Sequence, residues 1–293
     1  MFMDQPITPA RVEVLIDVLR NCPEKTMNVT GLKRLLQPEG LPNRTEQSDQ
    51  ARQVISAAKQ LGLVRESEGA VTLEWKSGDR RETRTVLLDA LDTNVLLRDE
   101  VEPWFAKFFA FMIAREPGAA EAAPGQGDDW DVRFNTTVLQ NATVANRFNA
   151  SKYNGFRRWM RYMGLGWHDG KDVFQPNPFE RLARVLPRIF DSDLVLTSDE
   201  FMTRLASRCP ELDGGSVFCE TNRDFEMSRR ECTAALASAL VELHDDGIIA
   251  LECPIDNDGW SLRRATPART KAMPSDRFDR IQFPAPRVAG KSK

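Results

Sequence analysis

The segment from Ser151 to Met163 carries four cationic side chains and no acidic one. Aromatic and other apolar residues recur within it at the spacing of a helix, so the charged side chains must occupy the outward face. Guanidinium and ammonium groups on such a face neutralise the phosphates of nucleic acid, with an affinity that falls steeply as salt rises. The segment therefore predicts a DNA-contacting helix. A solvated helix face and a docking site for an acidic protein surface are the alternatives.

The predicted contacts divide between this helix, the turn that follows it near 167–171, and a second helix near residues 45–60. On the first helix we expect the arginines to contact phosphate, with Lys152 and Asn154 nearer the bases. The second helix has side chains suited to reading bases, but Glu46 and Asp49 repel phosphate. The full predicted set of DNA-binding residues is Lys152, Asn154, Arg157, Arg158, Arg161, Lys171, Arg44, Gln47 and Arg52.

Residues suited to catalysis are few. The chain has two histidines, His168 and His244, and each lies at a turn or a helix end, where a turn or capping role is the simpler interpretation. The sequence contains no metal-ligand spacing, phosphate-binding glycine loop, nucleophile elbow or paired-carboxylate motif. The glycines of "MGLGWHDG" follow a helix, whereas a phosphate cradle places its glycines before one. We therefore expect no enzymatic activity, no cofactor and no bound metal.

Three helix-ending glycines indicate the elements that position these residues. Gly62, Gly164 and Gly247 each follow a helix with apolar periodicity and precede an apolar pair, a polar turn and a second apolar strand. Glycine after the last helical turn readily adopts the positive φ that ends a helix, and the polar turns suit hairpins. Two further helices are predicted upstream of each glycine. For Gly164 these helices are expected over 100–115 and 135–148. Helix, helix, helix, hairpin is the order of a winged helix.

These repeats predict the domain organisation. We expect a mainly α-helical chain with short β-hairpins, arranged as three tandem winged-helix-like units. The units are expected at 1–82, at 83–177 with a flexible loop over 116–129, and at 178–263, followed by a basic, largely extended tail at 264–293. The last helix of the third unit is mostly Ala and Leu, which favours a structural role for that unit.

Charge is unevenly distributed along the chain. From Arg263 to Lys293 there are nine Arg or Lys residues and two Asp, a net charge of +7 in a chain whose total is −3, so residues 1–262 carry −10. A basic tail on an acidic chain indicates contact with nucleic acid or with an acidic partner. A tail that only aids solubility is the alternative.

The cysteines and the apolar segments indicate the compartment. The five cysteines are scattered without a C-x-x-C pair, which favours reduced thiols in the cytoplasm over a zinc site or a redox pair. The N-terminus lacks the basic and apolar regions of a signal peptide. The most apolar run, 103–114, is too short to span a bilayer. We expect a cytoplasmic protein without membrane contact.

Three segments carry a family resemblance. They are "FNASKYNGFRRWMRYMGLGW" (148–167), "RVLPRIF" (184–190) and "LDGG" (212–215). With them the chain resembles DpdG-type proteins, which are accessory proteins of bacterial gene clusters that insert 7-deazaguanine derivatives into DNA and restrict unmodified DNA. The resemblance runs over most of the chain, and 148–167 is its most specific part. It implies a role in DNA-modification-linked phage defence, with helicase-like or nuclease partners encoded nearby, and it assigns no catalytic residue.

The sequence thus predicts a non-catalytic protein that binds double-stranded DNA as an accessory component of such a defence system. One alternative is a protein–protein scaffold within a defence complex, with Tyr153, Trp159 and Trp167 as aromatic anchors. The charge of −10 on residues 1–262 favours that alternative, because an acidic surface repels duplex DNA. The other alternative is a transcriptional regulator of the protein's own gene cluster.

Overall fold

The chain forms two compact bodies. The N-terminal body comprises residues 1–105 and 148–162, and the C-terminal body comprises residues 106–147 and 163–293. Both are built mainly from helices with short strands, which confirms the expected mainly α-helical chain with short β-hairpins. The computed structural model describes residues 7–38, 49–75, 80–98, 101–115, 130–140, 147–168, 174–191, 193–253, 258–262 and 276–283.

The N-terminal body begins with one helix, a strand, two more helices and a hairpin. The elements are α1 (Pro9–Arg20), β1 (Thr26–Asn28), α2 (Val29–Leu36), α3 (Gln50–Gln60), β2 (Val64–Ser67) and β3 (Ala70–Leu73). The strands form one antiparallel sheet in the order β1-β3-β2, so the last strand lies in the centre. Side-chain caps start the helices, as where Asn28 Oδ1 accepts a hydrogen bond from the backbone N of Gly31 at 2.7 Å.

Four helices follow in the middle of the chain. They are α4 (Thr83–Leu91), α5 (Pro103–Ile113), α6 (Trp130–Arg133) and α7 (Ala150–Tyr162). α4 continues into a π-helical turn at Asp92–Leu97. Helices α4 and α7 belong to the N-terminal body and α6 to the C-terminal body, and α5 begins in the first and continues in the second. α4 was not predicted from the sequence.

The helix predicted over 135–148 is wrong in extent. α6 passes into a π-helical turn at Phe134–Val138, and the helical backbone ends there. The hydroxyls of Thr136 and Thr137 donate to the carbonyls of Val132 and Arg133 at 2.8 and 2.7 Å. Such side-chain bonds compete with regular helix geometry, and β-branched residues lower helix propensity. Residues 141–146, and the loop predicted at 116–129, lie outside the described residues.

α5 supplies core to both bodies, as its apolar stripe indicated. Phe105 is buried and meets Phe156 edge-on at a centroid distance of 5.2 Å in the N-terminal body. Phe108 is buried and meets Phe134 edge-on at 5.3 Å in the C-terminal body. Within the described residues, no helix combines the length and the apolar character needed to cross a bilayer.

The C-terminal body contains a hairpin and two three-stranded sheets. Its further elements are β4 (Gly166–His168), β5 (Phe174–Pro176), α8 (Phe179–Phe190), β6 (Val195–Thr197), α9 (Ser198–Arg208), α10 (Ser216–Thr221), β7 (Glu231–Cys232), α11 (Ala234–Asp245), β8 (Ala250–Glu252), β9 (Trp260–Leu262), β10 (Arg277–Phe278) and β11 (Arg280–Gln282). The predicted hairpin β4-β5 is present. One sheet has the order β6-β11-β8, and the other has the order β10-β9-β7 with β7 and β9 parallel.

The third predicted hairpin is wrong in its pairing. The sequence suggested that β8 and β9 pair with each other, but β8 pairs with β11, where Leu251 faces Ile281. Ile281 is buried between exposed Arg280 and Gln282, and Phe283 stacks on Phe190 at 5.3 Å. This alternation fits a half-buried strand. The expected tail therefore supplies two strands: β11 is the central strand of this sheet, and β10 is an edge strand of the other sheet.

The three glycines end their helices as predicted. Gly62, Gly164 and Gly247 each have φ +68. At Gly62 the backbone N donates to Lys59 O at 3.0 Å, and Leu63 N donates to Ala58 O at 2.9 Å, which is the Schellman arrangement. The same two bonds end α11, where Gly247 N donates to His244 O and Ile248 N donates to Leu243 O, both at 3.0 Å. At Gly164 a Cβ would lie 2.3 Å from Glu180 Cβ, so close packing adds to the conformational requirement.

The two bodies do not follow the expected unit boundaries. Within the predicted unit 83–177, α4 and α7 belong to the N-terminal body, whereas the hairpin β4-β5 belongs to the C-terminal body. The division into units at 1–82, 83–177 and 178–263 stays a prediction.

Candidate nucleic-acid interface

The inner face of α7 is fixed by aromatic packing and a hydrogen bond. Phe156 is buried against Phe105 and Phe148, with centroid distances of 5.2 and 5.3 Å. Trp159 is buried, and its Nε1 donates to the backbone O of Ile7 at 3.1 Å. The helix is thus held at several points along its length. Its outer face therefore has a defined orientation on the N-terminal body.

The outer face of α7 presents the predicted arginines. Arg158 and Arg161 are exposed, and Arg157 is half-buried. The apolar spacing alone predicted this arrangement, since successive turns place Tyr153, Phe156 and Met160 inward. Arg158 and Arg161 are therefore the predicted contacts best placed to reach a phosphate.

Lys152 and Asn154, the two predicted base contacts, are half-buried rather than fully exposed. The Lys152 Nζ lies 5.2 Å from the centre of the Trp104 ring, in cation–π range. Burial lowers the pKa of Lys152 below its ordinary value, and the nearby Glu102 carboxylate opposes that shift. Lys152 therefore has a partner within the protein, and contact with a base requires it to leave Trp104.

Arg52, the predicted contact near residues 45–60 that the structure describes, lies on a charge-balanced surface. Arg52 donates to Glu66 Oε1 at 2.5 Å, and this hydrogen bond holds the pKa of Glu66 below its usual value. Lys33 pairs with Asp49, whose side chain also caps α3. Because these cations are matched by carboxylates, the surface attracts phosphate weakly. Arg44 and Gln47 lie outside the described residues.

The hairpin after α7 exposes one of the residues singled out in the sequence. Trp167 on β4 is 51% exposed, whereas His168 is half-buried with its ring 5.4 Å from that of Phe174. Lys171, the predicted contact in the turn, lies outside the described residues. The hairpin therefore contributes an exposed aromatic surface within the C-terminal body.

Two of the three proposed scaffold anchors are inaccessible. Tyr153 is 2% exposed and Trp159 is fully buried, so neither can meet a partner without unfolding of α7. Only Trp167 of this group is available. The expectation that all three are anchors is wrong, because the first two occupy the inner face of an amphipathic helix.

The other two family-like segments are core. In α8, the residues Val185, Leu186, Ile189 and Phe190 of "RVLPRIF" are buried. In "LDGG", buried Asp213 accepts hydrogen bonds from the backbone N and the Oγ1 of Thr233 at 2.6 and 2.9 Å. Thr233 in turn caps α11. These segments maintain the C-terminal body, so of the three only 148–167 exposes a run of cations.

Next to "LDGG" lies a buried ion pair. Arg181 Nε donates to Glu211 Oε1 at 3.0 Å, and Arg181 Nη2 donates to the backbone O of Arg208 at 3.2 Å. The guanidinium thus ties α8 to the end of α9. Removal of one partner from such a pair leaves an uncompensated buried charge, which points to a structural role.

His244, the second histidine, also has a structural contact. Its Nδ1 accepts a hydrogen bond from the backbone N of Leu251 at 3.1 Å, which ties the end of α11 to β8. Across the described part of the chain, no group of His, Cys, Asp or Glu side chains is arranged to hold a metal ion.

One contact at the end of α7 was not anticipated from the sequence. The Tyr162 hydroxyl donates to Glu13 Oε1 at 2.7 Å, and the Arg84 guanidinium carbon lies 5.5 Å from the centre of the Tyr162 ring. Arg84 is exposed and lies in the first turn of α4. Detection of this contact required knowledge of α4, which has no local signal as clear as that of α7.

Comparisons with known proteins give one match. A family model described as DpdG-like matches residues 3–257. No curated protein and no solved structure matches the chain.

Proposed function

The chain belongs to the DpdG-like family, and from that premise we propose that it binds double-stranded DNA, without catalysis, as an accessory component of a phage-defence system. The family associates it with DNA-modification systems. Such systems act on duplex DNA, so a component that holds the duplex fits that setting. The helicase or nuclease encoded nearby would supply the chemistry.

The observation that carries this proposal is the outer face of α7. Arg158 and Arg161 project from a helix whose inner face is fixed by Phe156 and Trp159. A rigid helix lowers the entropic cost of bringing charged side chains to a phosphate.

The order of elements supports a winged-helix assignment, which we propose for both bodies. The N-terminal body contains, in chain order, α1, β1, α2, α3, β2 and β3, and its strands form a sheet in the order β1-β3-β2. The C-terminal body contains, in chain order, α8, β6, α9, α11, β8 and β11, and these strands form a sheet in the matching order β6-β11-β8. Winged-helix modules commonly use the third helix in the major groove; in the N-terminal body that helix is α3, so the proposed contact through α7 lies outside this usual mode. α11 is mostly buried, so the C-terminal copy fits a structural role.

A scaffold role is the second candidate function, and exposed Trp167 favours it. A tryptophan that is half exposed is a suitable anchor for a protein partner. The net charge of −10 on residues 1–262 also disfavours non-specific attraction to DNA. The two candidates differ in how association depends on salt and on nuclease treatment.

A salt titration of the purified full-length chain tests DNA binding. We expect log K for a short fluorescent duplex to fall linearly with log salt, with a slope of roughly −0.9 for each phosphate neutralised. Binding that is absent at low salt contradicts the proposal.

A pull-down from the native host tests the scaffold candidate. Partners that remain after exhaustive nuclease treatment are held by protein contacts, whereas partners that are lost were bridged by DNA. If the partners persist and Trp167→Ala releases them, the scaffold role is supported. If nuclease alone releases them, DNA binding is supported.

A further inference from the structure

The contact between Arg84 and Tyr162 lies at the end of the proposed DNA surface, beyond Arg158 and Arg161. Arg84 projects from the first turn of α4, and its guanidinium lies over the face of the Tyr162 ring. Tyr162 is the last residue of α7. Because residues four apart share one side of a helix, Arg158 and Tyr162 lie on the same side, one turn from each other.

Tyr162 is itself held in place. Its hydroxyl donates to Glu13 on α1, and the ring is half-buried. Burial, together with the Glu13 carboxylate, raises the pKa of Tyr162 well above its usual range, so the hydroxyl remains a donor. The Tyr162 ring is therefore fixed in place, and its contact with the guanidinium group positions the Arg84 side chain.

A cation–π contact of this kind needs no carboxylate partner. The guanidinium group carries several N–H donors in one plane, and these donors can grip a phosphate. Among the described residues, no carboxylate forms an ion pair with Arg84. Two acids close to this contact accept hydrogen bonds from other groups: Glu13 accepts from Tyr162, and Asp17 accepts from the hydroxyl of Thr83, the residue before Arg84.

We infer that Arg84 is a further phosphate contact, positioned by Tyr162, and that the nucleic-acid surface extends from α7 onto the start of α4. This inference rests on the proposed DNA-binding function. The ligand is the phosphodiester backbone, which Arg84 would grip irrespective of base sequence. The surface then comprises Arg84, Arg158 and Arg161, which we call the arginine surface.

Neutralisation of Arg84 tests this inference. The full-length chain with Arg84→Gln is titrated against a fluorescent duplex over a range of salt, beside wild type and Arg84→Lys. We expect Arg84→Gln to reduce the magnitude of the salt slope by about 1 and to weaken binding to unrelated sequences equally. Arg84→Lys keeps the charge and should restore most of the slope.

Two further variants separate positioning from folding. Tyr162→Leu removes the ring and should weaken binding, whereas Tyr162→Phe keeps the ring but loses the hydrogen bond to Glu13, so its binding should lie between that of Tyr162→Leu and that of wild type. Thermal melting is measured for each variant. If Arg84→Gln lowers the melting temperature but leaves the salt slope unchanged, Arg84 is a structural clamp and the inference is wrong.

The outcomes also distinguish this inference from the function on which it rests. If wild type fails to bind the duplex at low salt, the proposed DNA-binding function and the role of Arg84 are both wrong. If wild type binds with a steep salt dependence and Arg84→Gln keeps that slope, DNA binding stands and only the role of Arg84 is overturned.

Discussion

Arg158 and Arg161 differ from the other predicted contacts in their surroundings. Both are exposed on a helix that is anchored through buried aromatic residues, whereas Lys152 and Arg157 on the same helix are half-buried. The residue type alone does not distinguish these cations. The sequence identified the basic run, but the exposure of each cation comes from the folded structure.

The helix-ending glycines give a matched stability test. Gly62 and Gly164 both have φ +68, but a Cβ at Gly62 meets nothing within 4 Å, whereas at Gly164 it would lie 2.3 Å from Glu180 Cβ. We expect Gly62→Ala to lower the free energy of unfolding by about 1–2 kcal/mol through backbone strain alone. Gly164→Ala should add overpacking of about 1–3 kcal/mol. Urea denaturation of both variants checks this, and equal losses contradict the packing argument.

Asp213 predicts a pH dependence of stability. Burial raises its pKa to about 6 from an ordinary 3.8, while the hydrogen bonds from Thr233 lower it. Because the folded-state pKa is the higher one, the stabilisation from the bound proton is fully present below about pH 4 and is lost as the pH rises through about 6.

The isosteric variant Asp213→Asn, which does not titrate, supplies the reference for that effect. We expect the free energy of unfolding of wild type, relative to Asp213→Asn, to fall by on the order of 2–3 kcal/mol between pH 4 and pH 7. Denaturant melts across this range measure it. A difference that stays constant with pH contradicts the raised pKa.

Among the elements, those with strong local patterns were predicted and those that depend on distant partners were not. α7 was predicted because its apolar spacing is regular, and the hairpins β2-β3 and β4-β5 because their strands are neighbours in sequence. The pairing of β8 with β11 joins residues about thirty positions apart, and no local signal selects β11 over the closer β9. α4 was not predicted because no local signal in the sequence distinguishes its apolar residues from those of the neighbouring loops.

The central position of β11 predicts that the C-terminal segment is needed for folding. Ile281 and Phe278 are fully buried, and each such side chain contributes about 1.5–3 kcal/mol. Truncation after residue 275 should therefore destabilise the C-terminal body by on the order of 3–6 kcal/mol.

A second truncation, after residue 283, is the control for that prediction, since it keeps β10 and β11 and removes basic residues. Hydrogen exchange of α8 and α9 reports the local effect. Protection that is the same in both truncated chains contradicts a central role for β11.

At the scale of the whole molecule, the mainly α-helical fold and the family were predictable, but the division into bodies was not. Membership of a helix in a body depends on which core its inner face joins, and α7 joins the N-terminal one through Ile7 and Glu13. The sequence places α7 beside its own hairpin, and it gives no sign of these distant partners. The arginine surface is therefore part of the N-terminal body, although two of its three residues, Arg158 and Arg161, lie near the middle of the chain.

The claim that α7 binds DNA is tested most directly by charge reversal on its outer face. Arg158→Glu combined with Arg161→Glu is compared with Arg34→Glu combined with Arg223→Glu, which changes the net charge equally at exposed arginines elsewhere. Both chains are melted to confirm folding and then titrated against duplex DNA across a range of salt. We expect the double variant at Arg158 and Arg161 to lose most of its DNA binding, with a salt slope smaller in magnitude by about 2. The double variant at Arg34 and Arg223 should bind close to wild type. Equal binding by the two variants contradicts the claim that α7 binds DNA.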